Sequence, residues 1–393
     1  MNIENCKSGK NLILLIIILG SVTAIGPLAI DMYLPAFSEI SENLAAPQNL
    51  IQLSLTSYFV GMTLGQLIYG PIIDRFGKKP PLFIGLIIFV ITSILCCFVT
   101  DAKQLIILRF FQAIGVCGAM VIPRSIVRDI FSTQESARIF SHLMLVMGVA
   151  PVLAPILGSF ILLKFNWRGI FIFFAIFGLI CLYVSYKFIP QTKLANKNEK
   201  ISSAFKKYRE ILCDKNFVIC ATTSGFIMGS LFGYITGSPS VYMDFFGMNS
   251  QEYAMFFALN SVGFIGAAQI NARILKKFKI EEVLGKSLLF MACSGFVLLL
   301  VTIFCPVFWA FIFIFFIFLA GIGGTSPNLT ALALKNQTTH SGSASALLGA
   351  IQFVFAVTVS FVVSFLPFNG LISMSLIVGV CGIIAYNIYN LLK

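Results

Sequence analysis

Apolar runs of roughly 20 residues follow one another along the chain, separated by short polar segments; each is long enough to cross a bilayer core as a helix. Twelve can be drawn, at 11–38, 49–72, 80–100, 103–127, 137–163, 167–189, 213–238, 251–274, 283–304, 306–334, 340–366 and 369–391. Helix is forced, because an open backbone in lipid leaves its N–H and C=O groups unpaired. An outer-membrane barrel would instead show short alternating segments. The pattern therefore predicts an all-α polytopic membrane protein of twelve transmembrane helices in two six-helix bundles.

Composition agrees. Of 393 residues, 58% are hydrophobic and 11% charged, and the mean hydropathy is +0.96. A soluble domain carries about a quarter charged residues. Phe occurs 41 times, which suits a surface facing lipid. The net charge of +12 would suggest nucleic acid in a soluble protein. Here it reads as loop anchoring, with no nucleic-acid partner and the bilayer as solvent. With the N-terminus inside, 22 Lys/Arg fall in cytoplasmic segments and three (Lys103, Lys164, Arg168) in external ones, leaving Arg109 and Arg124 within spans. That asymmetry predicts two cytoplasmic termini. Lys7 and Lys10 precede the first span as in a signal peptide, but the apolar stretch is too long and lacks a small-x-small cleavage site. The ten cysteines show no metal or redox spacing.

The longest polar segment, QTKLANKNEKISSAFKKYREILCD (191–214), divides the chain near its middle. The expected organisation is an N-terminal bundle (1–190), a cytoplasmic linker (191–212) and a C-terminal bundle (213–393). The linker carries either an amphipathic surface helix around Ile201–Leu212 or a solvated tether. Span 2 ends in GQLIYGPIIDRFGKK and span 8 in GAAQINARILKKF, a loose repeat in which Asn271 stands where Asp74 would be expected.

Polar residues in the wrong solvent come next. In Gly70-Pro-Ile-Ile-Asp74-Arg75-Phe-Gly77-Lys78-Lys79, Gly77 permits a tight turn and the cations pin the loop inside. This loop resembles the signature loop of the major facilitator superfamily between its second and third helices. DMYLPAF in span 1, LRFFQAIG and PRSIVRDIF in span 4, and GGTSPNLTALAL with GSASALLGAIQ around spans 10 and 11 resemble the bicyclomycin/chloramphenicol-resistance (Bcr/CflA) branch of drug:proton antiporters. The resemblance covers nearly the whole chain. It implies an inner-membrane secondary transporter, monomeric and without cofactor, that exports small organic compounds by alternating access using the proton gradient. In span 5, Ala150-Pro-Val-Leu-Ala154-Pro155-Ile-Leu-Gly158-Ser159 resembles the family's GxxxGPxxGG antiporter motif, with Ala and Ser at three glycine positions. These residues suit close helix packing, with a bend at Pro155.

Within GPLAIDMYLPAF (26–37), Asp31 lies about 30 Å along helix 1 from Lys10, and Arg109 lies roughly 9 Å inward from Lys103 on helix 4. Both fall in the outer half of the first bundle. An isolated charge there is costly, so each needs a partner or water. The expectation is that they face one cavity and that Asp31 carries the coupling proton, since a carboxylate alternating between water and apolar surroundings changes its preferred protonation state. In related drug antiporters an acid of helix 1 and an arginine of helix 4 are the suspected groups, and Asp31 and Arg109 match by motif. Some relatives carry a second acid where this chain has Thr23, which argues against cationic drugs. The bland alternatives are an Asp31 that caps helix 1 among the headgroups and an Arg109 that snorkels to the surface.

Tyr33, Gln112, Asn328 and Gln352 are candidates for the substrate cavity, with helix–helix hydrogen bonding as the competing role for the amides. Tyr58 and Tyr69 are weaker candidates that an aromatic belt also explains. Arg124, Arg128 and Asp129 either form a cytoplasmic gate with Asp74 or anchor the end of helix 4. His142 and His340 have no metal-ligand partner at helical spacing, so no metal is expected. No Walker loop, HExxH or GxSxG is present, which argues against ATP drive and hydrolase chemistry. The competing functions are a proton-coupled metabolite importer of the same fold and a non-transporting membrane sensor.

Overall fold

Prolines decide how the first helix ends. Helix α1 (Gly9–Asp31) stops at the aspartate because Pro35 has no N–H to donate to the Asp31 carbonyl. A 3₁₀ turn (Leu34–Ala36) and a short helix (Phe37–Asn43) carry the chain onward. The computed structural model describes residues 9–131, 133–189, 208–304, 306–335, 341–366 and 369–391. It is helical throughout. After α1 come α2 (Gln48–Phe76), α3 (Lys79–Cys96), α4 (Ala102–Ile130), α5 (Thr133–Lys164) and α6 (Arg168–Phe188). Beyond the linker come α7 (Lys215–Pro239), α8 (Ser250–Ile274), α9 (Ile280–Phe304), α10 (Phe308–Leu334), α11 (Ser341–Phe365) and α12 (Gly370–Asn390). Helix α7 passes after Pro239 into a π-helical turn (Ser240–Phe245), at the same end of the molecule as the break after α1.

Short polar residues mark several starts. Asp101 accepts a hydrogen bond from the Lys103 N–H, Asp214 from Asn216 and Phe217, and Asn369 from Ile372. Asn249 and Glu252 form a capping box on α8. Gly77 takes φ +80°, which lets the chain turn sharply between α2 and α3.

Among the described residues, ten helical segments are long and apolar enough to cross a membrane. The protein is thus a multi-pass membrane protein. Of the two other helices that the sequence reads as spans, α2 is diluted by polar residues such as Gln52, Ser54, Thr56 and Gln66, and only Val149–Lys164 of α5 qualifies as a shorter apolar stretch. The stretch expected to be an amphipathic surface helix lies mostly outside the described residues; 208–212 is described and is helical. His340 also lies outside them, as does the side chain of His142.

The packing repeats at an interval of six helices. Helix α2 packs on α4 as α8 packs on α10; α3 on α4 as α9 on α10; α3 on α6 as α9 on α12; α1 on α5 as α7 on α11. The most extensive contacts between the sets are α2 against α11 and α5 against α8. Close approach depends on missing side chains. A Cβ on Gly158 of α5 would strike the Met32 carbonyl, and one on Gly323 of α10 the Phe264 carbonyl.

Candidate functional site

The break after α1 leaves Asp31 facing inward. Its side chain is 4% exposed, so it is neither a cap among the headgroups nor a surface residue. It accepts no hydrogen bond from any described residue. It lines a cavity of about 110 Å³ where both sets of helices meet, with Pro151 of α5, Tyr234 of α7, Asn260 and Phe264 of α8 and Leu319 of α10. The small residues of α5 position it. Gly158 presses on the backbone of Met32, next to Asp31, while Ala150, Ala154 and Pro155 are buried along the same helix.

Arg109 does not share that cavity. It is fully buried, which removes the snorkelling alternative. Its guanidinium carbon lies 4.5 Å from the Tyr33 ring centroid and 4.3 Å from that of Tyr58. Nη2 donates to the Ala29 carbonyl at 2.9 Å, and Nη1 to Gln112 Oε1. Gln112 in turn donates from Nε2 to Ser93 Oγ at 2.7 Å, and the Tyr33 hydroxyl pairs with Ser54 Oγ at 2.7 Å. Two ring faces and two neutral acceptors thus hold a cation that depth along its helix leads one to expect in the same cavity as Asp31. Each desolvated ring contact contributes about 2 kcal/mol. The Tyr58 hydroxyl has no hydrogen-bond partner among the described residues.

The other cavity candidates also stand outside it. Tyr33 and Gln112 belong to the arginine box. Asn328 exchanges two amide hydrogen bonds with Asn271, each 2.9 Å, which joins α10 to α8. Gln352 donates to Ser224 Oγ at 2.7 Å, joining α11 to α7. Their amides are used in helix packing, the competing role. Tyr69 is buried against Gly118 of α4.

At the linker end, Lys78 Nζ donates to the Ser125 carbonyl at 2.7 Å and so ties the signature loop to α4. The Arg75 guanidinium lies over the Phe76 ring at 5.4 Å. Arg124 is exposed on α4. Gly70 and Asp74 sit on the last turns of α2, and Arg128 and Asp129 on the last turn of α4; the side chains of Asp74, Arg128 and Asp129 lie outside the described residues.

Opposite Asp31 is a polar cluster that the sequence reading missed. Asn260 Nδ2 donates to the hydroxyls of Tyr234 and Tyr242, both at 3.1 Å, and Tyr253 pairs with Ser238 at 2.9 Å. A lone amide inside the span 251–274 was the available signal. Nothing local distinguishes it from a packing amide such as Asn328.

The two sets of helices are joined at the end farthest from the linker. Ser38 Oγ donates to Asp244 Oδ1 at 3.3 Å, Gln52 Nε2 to Ser240 Oγ at 2.9 Å, and Ser250 Oγ to the Pro35 carbonyl at 3.3 Å. Thr56 and Ser360 share a bond at 2.9 Å. Among the described residues, the hydrogen bonds that cross between the sets gather at this end.

A family model described as Major Facilitator Superfamily matches residues 19–360. The chain is 34% identical over 357 residues to an uncharacterized MFS-type transporter of Bacillus subtilis, covering 90% of this chain and 89% of the relative. It is 28% identical over 385 residues to a bicyclomycin resistance protein homolog of Haemophilus influenzae, covering 98% and 97%. The crystal structure of a D-xylose-proton symporter superposes with a TM-score of 0.76 at 16% identity, covering 96% of each chain.

Proposed function

The chain belongs to the major facilitator superfamily, and from that membership we propose that it exports small organic compounds or drugs in exchange for protons. As a transporter it is not an enzyme. One observation carries the proton part of the reading: Asp31 is buried, accepts no hydrogen bond and lines the cavity where both sets of helices meet. The six-helix repeat of the packing supports twelve spans in two bundles that rock about that cavity. The charge asymmetry, 22 cationic residues against three, supports placing the linker and both termini on the cytoplasmic side of a bacterial inner membrane.

In this reading the bonds Ser38–Asp244, Gln52–Ser240 and Thr56–Ser360 close the external side, so the molecule faces inward. Solute reaching the cavity from the cytoplasm competes with the proton on Asp31. Rocking then exposes the site to the outside, where the solute leaves and a proton reloads the carboxylate. Arg109 and its tyrosines act at one remove, by tying α4 to the Ala29 carbonyl of α1. The energy comes from the proton gradient, with no cofactor, and the monomer is the working unit. The drug-resistance relative supports organic solutes as cargo.

Inside-out vesicles test direction. Acidifying the lumen should drive accumulation of bicyclomycin or another member of an antibiotic panel. If no member accumulates and external acid instead drives uptake into whole cells, the protein imports.

A further inference from the structure

Every polar group lining the cavity on the α8 side is committed except one. Asn260 is 2% exposed, and its Nδ2 donates to both Tyr234 and Tyr242. Its Oδ1 is left buried with no partner. Across the same cavity stands the Asp31 carboxylate, which also accepts no hydrogen bond from any described residue. The remaining wall is largely apolar, with Leu231, Ile235, Phe257 and Phe264. Buried acceptors without donors are rare in folded proteins, and two around one cavity leave a specific need for hydrogen-bond donors. The two tyrosine hydroxyls hold the Asn260 amide and leave its Oδ1 without a partner before any solute arrives.

We propose that Asp31 and Asn260 form a two-acceptor recognition site for a polar head bearing adjacent O–H or N–H donors on an otherwise apolar solute. This rests on the transporter reading, in which the cavity lies on the solute path. The volume of about 110 Å³ has room for roughly four water-sized groups, enough for a 1,2-diol or amino-alcohol head with a few carbons. Anions are rejected by the carboxylate, and ethers fail because they bring no donor. Asn260 is the specificity-determining residue: it selects donors without carrying the proton. A site that holds an acceptor for a hydroxyl penalises the analogue that lacks it far more than a greasy pocket penalises a missing methylene.

The experiment measures equilibrium binding to the purified full-length protein in nanodiscs, by ligand-induced thermal shift, and needs no flux. The probes are cyclohexane-1,2-diol, its dimethyl ether and cyclohexanecarboxylate. The diol should bind at least tenfold more tightly than either of the others, and Asn260→Ala should erase that preference while leaving the ether unchanged. Tyr242→Phe, which frees one amide proton without touching the cavity wall, should weaken the diol a few-fold. An ether or carboxylate that binds as well as the diol to the unmodified protein overturns the proposal, as does no diol binding at all. So does an Asn260→Ala protein that keeps the full preference. If that variant does not fold, the comparison of the three probes on the unmodified protein decides. Failure of proton-driven flux with the diol preference intact would count against the transport reading and leave the recognition site standing.

Discussion

Arg109 carries its charge in the interior without a carboxylate beside it. The Tyr33 and Tyr58 faces lie at 4.5 and 4.3 Å, and Ala29 and Gln112 accept two of its hydrogen bonds. A planar guanidinium fits between two rings while donating in its own plane, which an ammonium cannot do. Arg109→Lys should therefore lower stability by about 2 kcal/mol or more, measured as thermal unfolding of the purified protein; an unchanged melting temperature would remove the box from the account. Scarcity made Asp31 and Arg109 legible in the sequence, since each is a charge inside an apolar run. Their partners were not legible. Depth along two helices placed them at a similar level, but which way each side chain turns depends on a third and fourth helix. Asn260 was missed for the same reason: an amide within a span reads as packing until its neighbours are known, and Asn328 is indeed paired with Asn271.

Element ends were only roughly legible. The apolar run drawn at 11–38 passes through Pro35, whereas α1 stops at Asp31, and Asp101, Asp214, Asn249 and Asn369 prove to sit where helices begin. The small residues of α5 implied close packing without saying on what; the partner is the backbone beside Asp31, where a Cβ on Gly158 would meet the Met32 carbonyl. Gly158→Val must push α5 from α1, at a cost of about 1–3 kcal/mol as for overpacked cores. It should lower the melting temperature and slow solute flux together, with Gly158→Ala smaller in the same direction. A valine variant that melts and transports normally would show that this contact does not set the position of Asp31.

At the scale of the whole molecule, the apolar pattern was long enough to reveal a helical membrane protein. The loose likeness of the ends of spans 2 and 8 hinted at a repeat that the packing displays helix by helix. What no linear pattern could give is the closure at one end, because Ser38 and Asp244, or Thr56 and Ser360, are joined across hundreds of residues. In the proposed function, the cavity beneath this end holds Asp31 as the coupling group. The decisive measurement is solute flux in proteoliposomes driven by an imposed pH gradient, comparing the unmodified protein with Asp31→Asn at equal reconstitution. The account predicts that the asparagine protein inserts and folds normally yet moves no solute against a gradient at any pH. Uphill flux by that variant with an unchanged pH profile would contradict it.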